Sequence, residues 1–280
     1  MKDPKTLPDV QLNSDSRGVE LHSVGVRKVR IPLKYKTNTG ESLLVPTECS
    51  LAVSLSKELK GTHMSRFMTL LNQFSSKEIV DFNPQDFLVE IAKTLQTDDS
   101  ALCFNVGCAI TKPAPVTGLE SKMIYDLKIK GLKNTDGNSS TIFDILIPTA
   151  NLCPCSKAIS EYGAHNQRLI LKVSVSVDLE GKYPAYWIEN LILALEEAGS
   201  CPVYPVLKRE DEKYVTERQY DNPKFVEDVV RDAVLIAKQY PNVIGFKVSA
   251  EAQESIHAHN AWAQYSENFP ELDKRLTLDH

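Results

Sequence analysis

The densest group of reactive side chains lies between residues 151 and 168, in the sequence NLCPCSKAISEYGAHNQR. Cys153 and Cys155 are separated by one residue, and His165 follows in the same segment. Thiolate and imidazole are ligands that zinc and similar divalent ions prefer. A Cys-x-Cys pair near one histidine is also typical of half-buried thiols in a tight turn beside a surface histidine. The polar neighbours, and too few ligands for a closed structural site, favour an open catalytic metal site.

A second group of polar side chains is Glu254, His257 and His259, in the sequence ESIHAH. Alternation predicts that the two histidines share one face of a strand. Two imidazoles on one face could bind a metal or transfer protons near neutral pH. A polar edge strand without catalytic function accounts for the same pattern.

Two carboxylates, Glu212 and Glu227, stand in contexts that suit ligand binding. Glu212 belongs to a charged run, KREDEKY, within a long insertion at residues 200–222. Charged runs are usually solvated, but a loop of about 20 residues inside a compact domain often belongs to a site. Glu227 is predicted in the first turn of a helix, where its carboxylate could accept two parallel N–H donors, as a guanine edge offers.

The sequence GTHMSR at residues 61–66 opens another predicted helix. Its polar and basic side chains at a helix N-terminus suit a phosphate group. An ordinary helix start explains the same residues equally well.

The composition narrows the functional classes. Of 280 residues, 42% are hydrophobic and 25% charged, as in a soluble globular protein of about two domains. Basic residues number 32 and acidic ones 37, so a generally basic nucleic-acid-binding surface is excluded. Neither an apolar run of about 18 residues nor a secretory signal is present, so we expect no membrane association. We therefore predict a cytoplasmic protein whose six cysteines are thiols or metal ligands.

Hydrophobic periodicity predicts the same order of elements in both halves of the chain: strand, strand, helix, helix, strand, strand. The predicted helices cover residues 63–74, 84–95, 186–198 and 223–239. Asn83 and Asn222 are the predicted N-caps of the second and fourth. We predict an α+β protein with antiparallel sheets, made of a flexible tail at residues 1–22 and two modules at 23–135 and 136–280. Its open sheet edges favour oligomers formed by sheet extension.

Five motifs make the sequence resemble the type IB GTP cyclohydrolases: KGTHMSRF, CPCSKAISEYGAHNQR, LKREDEKYVTE, NPKFVEDVVRD and ESIHAH. They extend from about Lys60 to His259, across both halves of the chain. Members of that family have the tunnelling fold, with two tandem ββααββ modules, and form homotetramers whose active sites lie between subunits. The resemblance implies the same fold and assembly here.

The resemblance also implies a reaction in which GTP and water give 7,8-dihydroneopterin triphosphate and formate, the first step of pterin and folate synthesis. The family requires a divalent metal ion: zinc, or in some members manganese or iron. By matching motifs, Cys153, His165 and Glu212 are implied as its ligands. Three protein ligands leave a position for water, which the ion makes more acidic and which attacks C8 of the guanine.

Further roles follow from the resemblance and from charge. Glu227 is implied as the carboxylate that anchors guanine, and His257 and His259 as active-site histidines that transfer protons. Cys155 is expected near the metal without a firm role as a ligand. The triphosphate needs local cations in a net acidic protein. The candidates for that pocket are Lys57, Arg66, Lys157 and Arg168, and His63 and Glu254 are further candidates for substrate binding.

Three other functions stay open at this point. The nitrile oxidoreductase of queuosine synthesis shares the tunnelling fold but uses a cysteine nucleophile and NADPH instead of a metal. A metal-stabilised scaffold without catalytic activity would bind no GTP. An archaeal variant of the cyclohydrolase makes a cyclic phosphate with iron.

Overall fold

The computed structural model describes residues 9–11, 13–78, 82–178, 186–270 and 278, and an antiparallel sheet dominates it. Its strands are β1 (Leu21–Lys36), β2 (Ser42–Leu55), β3 (Ser100–Pro113), β4 (Glu120–Lys133), β5 (Ser139–Leu152), β6 (Asn166–Val177), β7 (Cys201–Pro202), β8 (Val243–Ala252) and β9 (Ala261–Glu267). Neighbouring strands follow the order β1-β2-β3-β4-β5-β6-β8-β9, and the short β7 pairs with β5. β1 and β9 are therefore the two edges of the sheet.

Six helices accompany the sheet in the described residues: α1 (Met64–Phe74), α2 (Pro84–Leu95), α3 (Pro154–Ile159), α4 (Trp187–Glu196), α5 (Arg209–Asp221) and α6 (Val226–Ala237). α1 and α2 pack against strands of the first half, and α4 and α6 against strands of the second. Their buried apolar stripes join the sheet in one hydrophobic core. The predicted ββααββ order is confirmed in the first half, and in the second half α3, β7 and α5 are added to it.

The join between the two halves is a tight hairpin between β4 and β5. Gly137 N donates to Asn134 O at 3.1 Å, and the turn residues link strands that pair over Lys133↔Ser139. The sheet therefore continues across the position where we predicted the module boundary.

Local signals set the ends of α2 as predicted. The Asn83 side chain accepts a hydrogen bond from Gln85 N at 2.9 Å, and Pro84 occupies the first helical position. The chain leaves the helix at Gln96, which has a left-handed backbone with φ of 59°.

The predicted start of the last helix was wrong by three residues. α6 begins at Val226, and Asn222 is the C-cap of α5 instead of an N-cap. The reason is a tertiary contact: Lys224 N donates to Leu152 O at 3.1 Å, so the residues after Pro223 pair with the end of β5 and cannot start a helix.

The insertion at residues 200–222 was predicted as a loop, but it contains β7 and α5. α5 is charged all round, and Asp211 is its single buried residue. Helical periodicity of apolar residues is therefore missing from its sequence, which explains the wrong prediction.

The described part of the predicted tail lies against the loop at residues 58–61. Lys60 N donates to Asn13 O at 3.0 Å, and Asp15 N donates to Glu58 O at 3.1 Å. These bonds connect the segment before β1 to the segment after β2.

Two buried glutamates of α4 face the strands of the first half. Glu196 accepts hydrogen bonds from Lys112 Nζ at 2.5 Å and from Tyr125 Oη at 2.7 Å. Glu189 accepts one from Tyr35 Oη, and no cation within the described ranges lies at ion-pair distance from it. Burial raises the pKa of Glu189, because removal from water disfavours the charged carboxylate. No positive charge beside it offsets this effect within the described residues.

No helix in the described part of the chain is long and apolar enough to cross a membrane.

The raised pKa of Glu189 predicts a pH dependence of stability. A carboxyl group whose pKa is higher in the folded than in the unfolded state stabilises the fold fully below the unfolded pKa of about 4.3, and this contribution is lost as pH rises through the folded pKa. Glu189→Gln keeps an acceptor for Tyr35 but cannot ionise. We expect its free energy of unfolding to fall less than that of the wild type as pH rises from about 5 to 8.

Urea unfolding at a series of pH values and fixed protein concentration measures this difference. Glu120→Gln, in an exposed position of β4, is the control and should follow the wild type. Parallel pH profiles for Glu189→Gln and the wild type would show that Glu189 is ionised in the fold.

Candidate active site

Cys153 stands where β5 passes into α3. It is the N-cap of α3, followed by Pro154 at the first helical position, and its Sγ accepts a hydrogen bond from Ser156 N at 3.5 Å. The thiol of Cys153 is half-buried, whereas Cys155 is exposed. Because α3 buries none of its residues, this short segment lies on the surface at the end of the β5–β6 hairpin.

His165 is brought to Cys153 by backbone contacts across that turn. Cys153 N donates to His165 O at 3.1 Å, and His165 N donates to Ser156 Oγ at 3.2 Å. The thiol and the imidazole predicted as ligands therefore belong to one closed turn, which we call the Cys153–His165 turn.

The imidazole of His165 is oriented through one nitrogen. Nδ1 lies 3.0 Å from Gln167 Oε1 and 3.2 Å from Ser255 Oγ. Nε2 has no hydrogen-bond partner among the residues that the structure describes. A histidine that binds a metal commonly uses one nitrogen for the ion and hydrogen-bonds through the other, so this arrangement suits a ligand.

The segment ESIHAH reaches the same turn, but as a loop. It was predicted as a strand, yet residues 253–260 lie between β8 and β9 without strand pairing. Gln253 N donates to Arg168 O at 2.8 Å, and Ser255 contacts His165. The rings of His257 and His259 stack with centroids 5.2 Å apart, so they are neighbours, although not through strand alternation. Both side chains are exposed, and Glu254 is half-buried.

Glu227 lies in the first turn of α6, as predicted. The segment before it is fixed to β5, because Asn151 Nδ2 donates to Lys224 O at 2.8 Å and Lys224 N donates to Leu152 O. Glu227 is exposed at a groove of about 560 Å³ between α6 and β9. The other residues lining the groove include Val230, Arg231, Val234, Ala263 and Tyr265.

Glu212 lies in the first turn of α5, and its side chain is exposed. The far end of α5 touches the Cys153–His165 turn, since Asn166 Nδ2 donates to Gln219 Oε1 at 3.0 Å. Glu212 precedes Gln219 by seven residues, so both lie on one helix face about 10 Å apart along the axis. No three His, Cys, Asp or Glu side chains of the described residues are close enough to hold a metal ion. A single chain therefore brings Cys153 and His165 together and leaves Glu212 apart.

Asp211, the neighbour of Glu212, is fully buried and connects two elements. Its carboxylate accepts hydrogen bonds from Val116 N, Thr117 N and Lys208 N at 2.9 Å and from Thr117 Oγ1 at 2.8 Å. Burial alone would raise the pKa of Asp211, but these four donors keep it well below its usual range.

Two of the predicted cations lie beside the turn. Lys157 Nζ donates to Tyr220 O and stands 4.2 Å from the centre of the Tyr220 ring. Arg168, at the start of β6, is exposed. Lys157 lies within the Cys153–His165 turn, and Arg168 follows it closely in the sequence.

The motif KGTHMSRF is separate from the turn within one chain. His63 is the N-cap of α1, and its Nε2 lies 3.3 Å from Asp9 Oδ2 without hydrogen-bond geometry. Arg66 Nη1 donates to Thr94 O at 3.4 Å, and Lys57 is exposed. Within the described ranges, no hydrogen bond or ion pair connects these three side chains to the Cys153–His165 turn.

Sequence reasoning missed the residues that orient the site. Gln167 stands two positions after His165, so strand alternation could have placed it beside the imidazole. Ser255, Asn151 and Lys224 gave no such signal, because their contacts join segments far apart in the sequence.

The donors present fit the implied metal ion in their chemistry. Zinc prefers sulfur and nitrogen ligands. Cys153 offers a half-buried thiol that accepts one weak N–H hydrogen bond, and His165 offers an imidazole whose Nε2 has no partner in the described residues. A carboxylate such as Glu212 would complete a common catalytic set. Manganese and iron also accept imidazole or carboxylate ligands.

Large apolar side chains are exposed around the turn. Tyr162 is 97% and Ile159 85% exposed, and Ile256 and Phe225 are exposed nearby. Several large apolar side chains exposed around one turn favour a site that is covered by another molecule or subunit.

The fold resembles that of the uricase from Arthrobacter globiformis. The TM-score is 0.51 over 95% of this chain and 98% of the uricase chain. Sequence identity is 6%, so the likeness concerns the fold alone. It confirms the predicted α+β tunnelling fold.

Sequence comparison is more specific. A GTP cyclohydrolase FolE2 from Azoarcus sp. (strain BH72) is 38% identical over 270 residues, which cover 96% of each chain. A GTP cyclohydrolase FolE2 from Fervidobacterium nodosum is 42% identical over 261 residues, covering 92% of this chain and 96% of the relative. The sequence profile described as type I GTP cyclohydrolase FolE2 matches residues 7–263. The chain therefore belongs to the type I GTP cyclohydrolase FolE2 family.

Proposed function

We propose that the protein is a metal-dependent GTP cyclohydrolase that converts GTP and water to 7,8-dihydroneopterin triphosphate and formate, at the entry to pterin and folate synthesis. The observation that carries the proposal is the closed turn in which Cys153 and His165 meet, with His165 oriented through Nδ1. Family membership supports the reaction, and the contact of Ser255 in the ESIHAH segment with His165 supports the position of the site.

The metal ion would be held by Cys153, His165 and Glu212. Zinc suits this set, and manganese or iron are alternatives. The chemistry that such an ion supplies is Lewis acidity, which activates water for hydrolysis.

Glu227 would bind the guanine edge. A carboxylate presents two acceptor oxygens, which match the N1–H and 2-amino donors of guanine. Glu227 lies in the first turn of α6, where the positive end of the helix dipole attracts a negative charge. The hydrogen bond from Lys224 N to Leu152 O connects the start of α6 to the end of β5. The bound base would therefore lie near the Cys153–His165 turn.

His257 and His259 would move the protons that ring opening, ribose rearrangement and ring closure require. Histidine suits this task because its pKa lies near neutrality. Ser255 links their loop to His165, so the loop and the metal ligand would be positioned together. Glu254, half-buried in the same loop, would contact the substrate.

The triphosphate would be bound by cations from both halves of the chain. Lys157 and Arg168 lie beside the Cys153–His165 turn, whereas Lys57, His63 and Arg66 lie apart from it. We propose that a neighbouring subunit supplies these last three, in a homotetramer with sites between subunits. The exposed apolar side chains around the turn and the open edges β1 and β9 support this assembly.

A free thiol as metal ligand suits a reducing compartment, so we place the protein in the cytoplasm.

Removal of the thiol tests the metal site. Cys153→Ala should lower turnover of GTP by about a hundredfold or more, because one of three ligands is lost. The fluorescence of the oxidised pterin, measured with GTP and each of zinc, manganese and iron, reports turnover, and circular dichroism reports folding. Cys155→Ala, in the exposed neighbouring position, is the control and should lose much less turnover than Cys153→Ala. Full turnover by a folded Cys153→Ala protein, or by wild type stripped of metal, would reject the assignment.

Replacement of the guanine anchor tests substrate recognition. Glu227→Gln should weaken GTP binding by about 1.5–3 kcal/mol, because the amide cannot accept both donors of the base. Calorimetry on metal-depleted protein measures this affinity. Inosine triphosphate lacks the 2-amino group, so the wild type should prefer GTP and the variant should lose that preference. Glu217→Gln, an exposed change on α5, is the control. An unaltered preference for GTP in Glu227→Gln would contradict the anchor.

Replacement of a loop histidine tests proton transfer. His257→Ala should lower kcat by about a hundredfold while KM changes little, since general acid–base catalysis contributes about 10²–10⁴. Added imidazole should restore part of the rate. Steady-state kinetics separate the two constants, and a variant with raised KM and normal kcat would assign His257 to binding instead.

A further inference from the structure

The tip of the β3–β4 hairpin, residues 114–119, contacts the start of α5 although the two belong to different halves of the chain. The contact is the buried Asp211 carboxylate, which accepts hydrogen bonds from Val116 N, Thr117 N and Thr117 Oγ1. A fourth bond, from Lys208 N, fixes the N-terminus of α5 itself. One side chain thus joins the hairpin tip to the first turn of the helix.

A second contact is made by β3 of the same hairpin, just before its tip. Lys112 Nζ donates to Val203 O at 2.6 Å and stands 4.4 Å from the centre of the Tyr204 ring. Lys112 is buried and paired with Glu196, so its position is fixed by α4 as well. The segment that leads into α5 is therefore fastened to β3 before the helix begins.

These contacts matter because they fix the start of α5, the part of the helix that carries Glu212. Asp211 is its single buried residue, so the helix lacks the apolar stripe that usually fixes a helix on a sheet. Its other end is fixed by Gln219 and Tyr220 at the Cys153–His165 turn. Arg218, which pairs with Glu197, also fixes that end. α5 is thus a polar helix held by contacts at its two ends. Glu212 lies next to Asp211, which makes the contacts at the N-terminal end.

We propose that Asp211 is a positioning residue, which ties α5 to the β3–β4 hairpin and so holds Glu212 in place for binding the metal ion. The inference rests on the proposed function, because Glu212 is a ligand only if the metal site is as stated there. Asp211 itself is fully buried and satisfied by four donors, so it acts through Glu212 and not on substrate.

Cobalt(II) binding to the full-length protein tests the proposal without measuring turnover. Cobalt reports a thiolate ligand by a charge-transfer band and the coordination geometry by its d–d bands. Asp211→Asn should weaken cobalt binding about tenfold or more, as is usual for residues that orient metal ligands, and should change the d–d bands. Glu210→Gln removes the neighbouring exposed carboxylate and is the matched control, with binding and spectrum like the wild type. Hydrogen exchange of the metal-free protein should rise at residues 114–119 and 208–213 in Asp211→Asn alone.

Thr117 gives a second test from the hairpin side, in case Asp211→Asn fails to fold. Thr117→Val removes the hydroxyl donor and should weaken cobalt binding and change the d–d bands, whereas Thr117→Ser keeps the hydroxyl and should restore both. Wild-type cobalt affinity and spectrum in Asp211→Asn and Thr117→Val, together with weakened binding in Glu212→Gln, would overturn the positioning role alone. Unchanged cobalt binding in Glu212→Gln would overturn the ligand assignment and the positioning role together.

Discussion

The hydrogen bond from Cys153 N to His165 O is the constraint on which the rest of the site depends. It closes the end of the β5–β6 hairpin, so that the residues carrying the thiol and the imidazole, which are separated by a short helix, belong to one turn. Ser156 strengthens the closure by donating its N–H to Cys153 Sγ and accepting from His165 N. Because the hairpin belongs to the central sheet, the two groups are positioned by the hydrophobic core and not by a mobile loop.

The other segments of the site are attached to this turn, or to the strands that end in it, by hydrogen bonds of backbone and side-chain groups. Lys224 binds the end of β5, Gln253 binds Arg168, and Asn166 binds Gln219. Each contact fixes the approach of one chain segment: the first turn of α6, the β8–β9 loop and the end of α5. The apolar core supplies the rigidity, and these hydrogen bonds set the directions from which the segments enter.

The sequence was sufficient for elements whose apolar residues repeat regularly. α2 has an apolar stripe, an Asn cap and a Pro at its first position, and the structure places it over the predicted residues. α5 carries no stripe, and it is a helix because Asp211 and both of its ends are bonded to distant segments. The alternating pattern of ESIHAH predicted a strand. The segment is a loop instead, in which Gln253 bonds to Arg168 in β6 and Ser255 contacts His165 just before it. Local patterns therefore failed where long-range polar contacts decide the backbone.

The candidate residues show the same limit. Thiolate, imidazole and carboxylate could be recognised by type, and the first-turn position of Glu227 was correct. The distances among them could not be read from spacing, and Glu212 is the clearest case, because its position depends on a helix that periodicity does not reveal. Gln167 was within reach of strand alternation, whereas Ser255 was not.

The continuous sheet that joins the two halves has an evolutionary consequence. Architecture repeats in both halves, yet the Cys153–His165 turn, the first turn of α6 and the β8–β9 loop all belong to the second half. α3 and α5 are additions found there. The first half contributes the buried Lys112, the tip of the β3–β4 hairpin and the motif at the start of α1. If the halves arose from one ancestral unit, they have since taken on different roles. Substitutions in the first half should then be limited mainly by packing, and those in the second half mainly by the chemistry of the site.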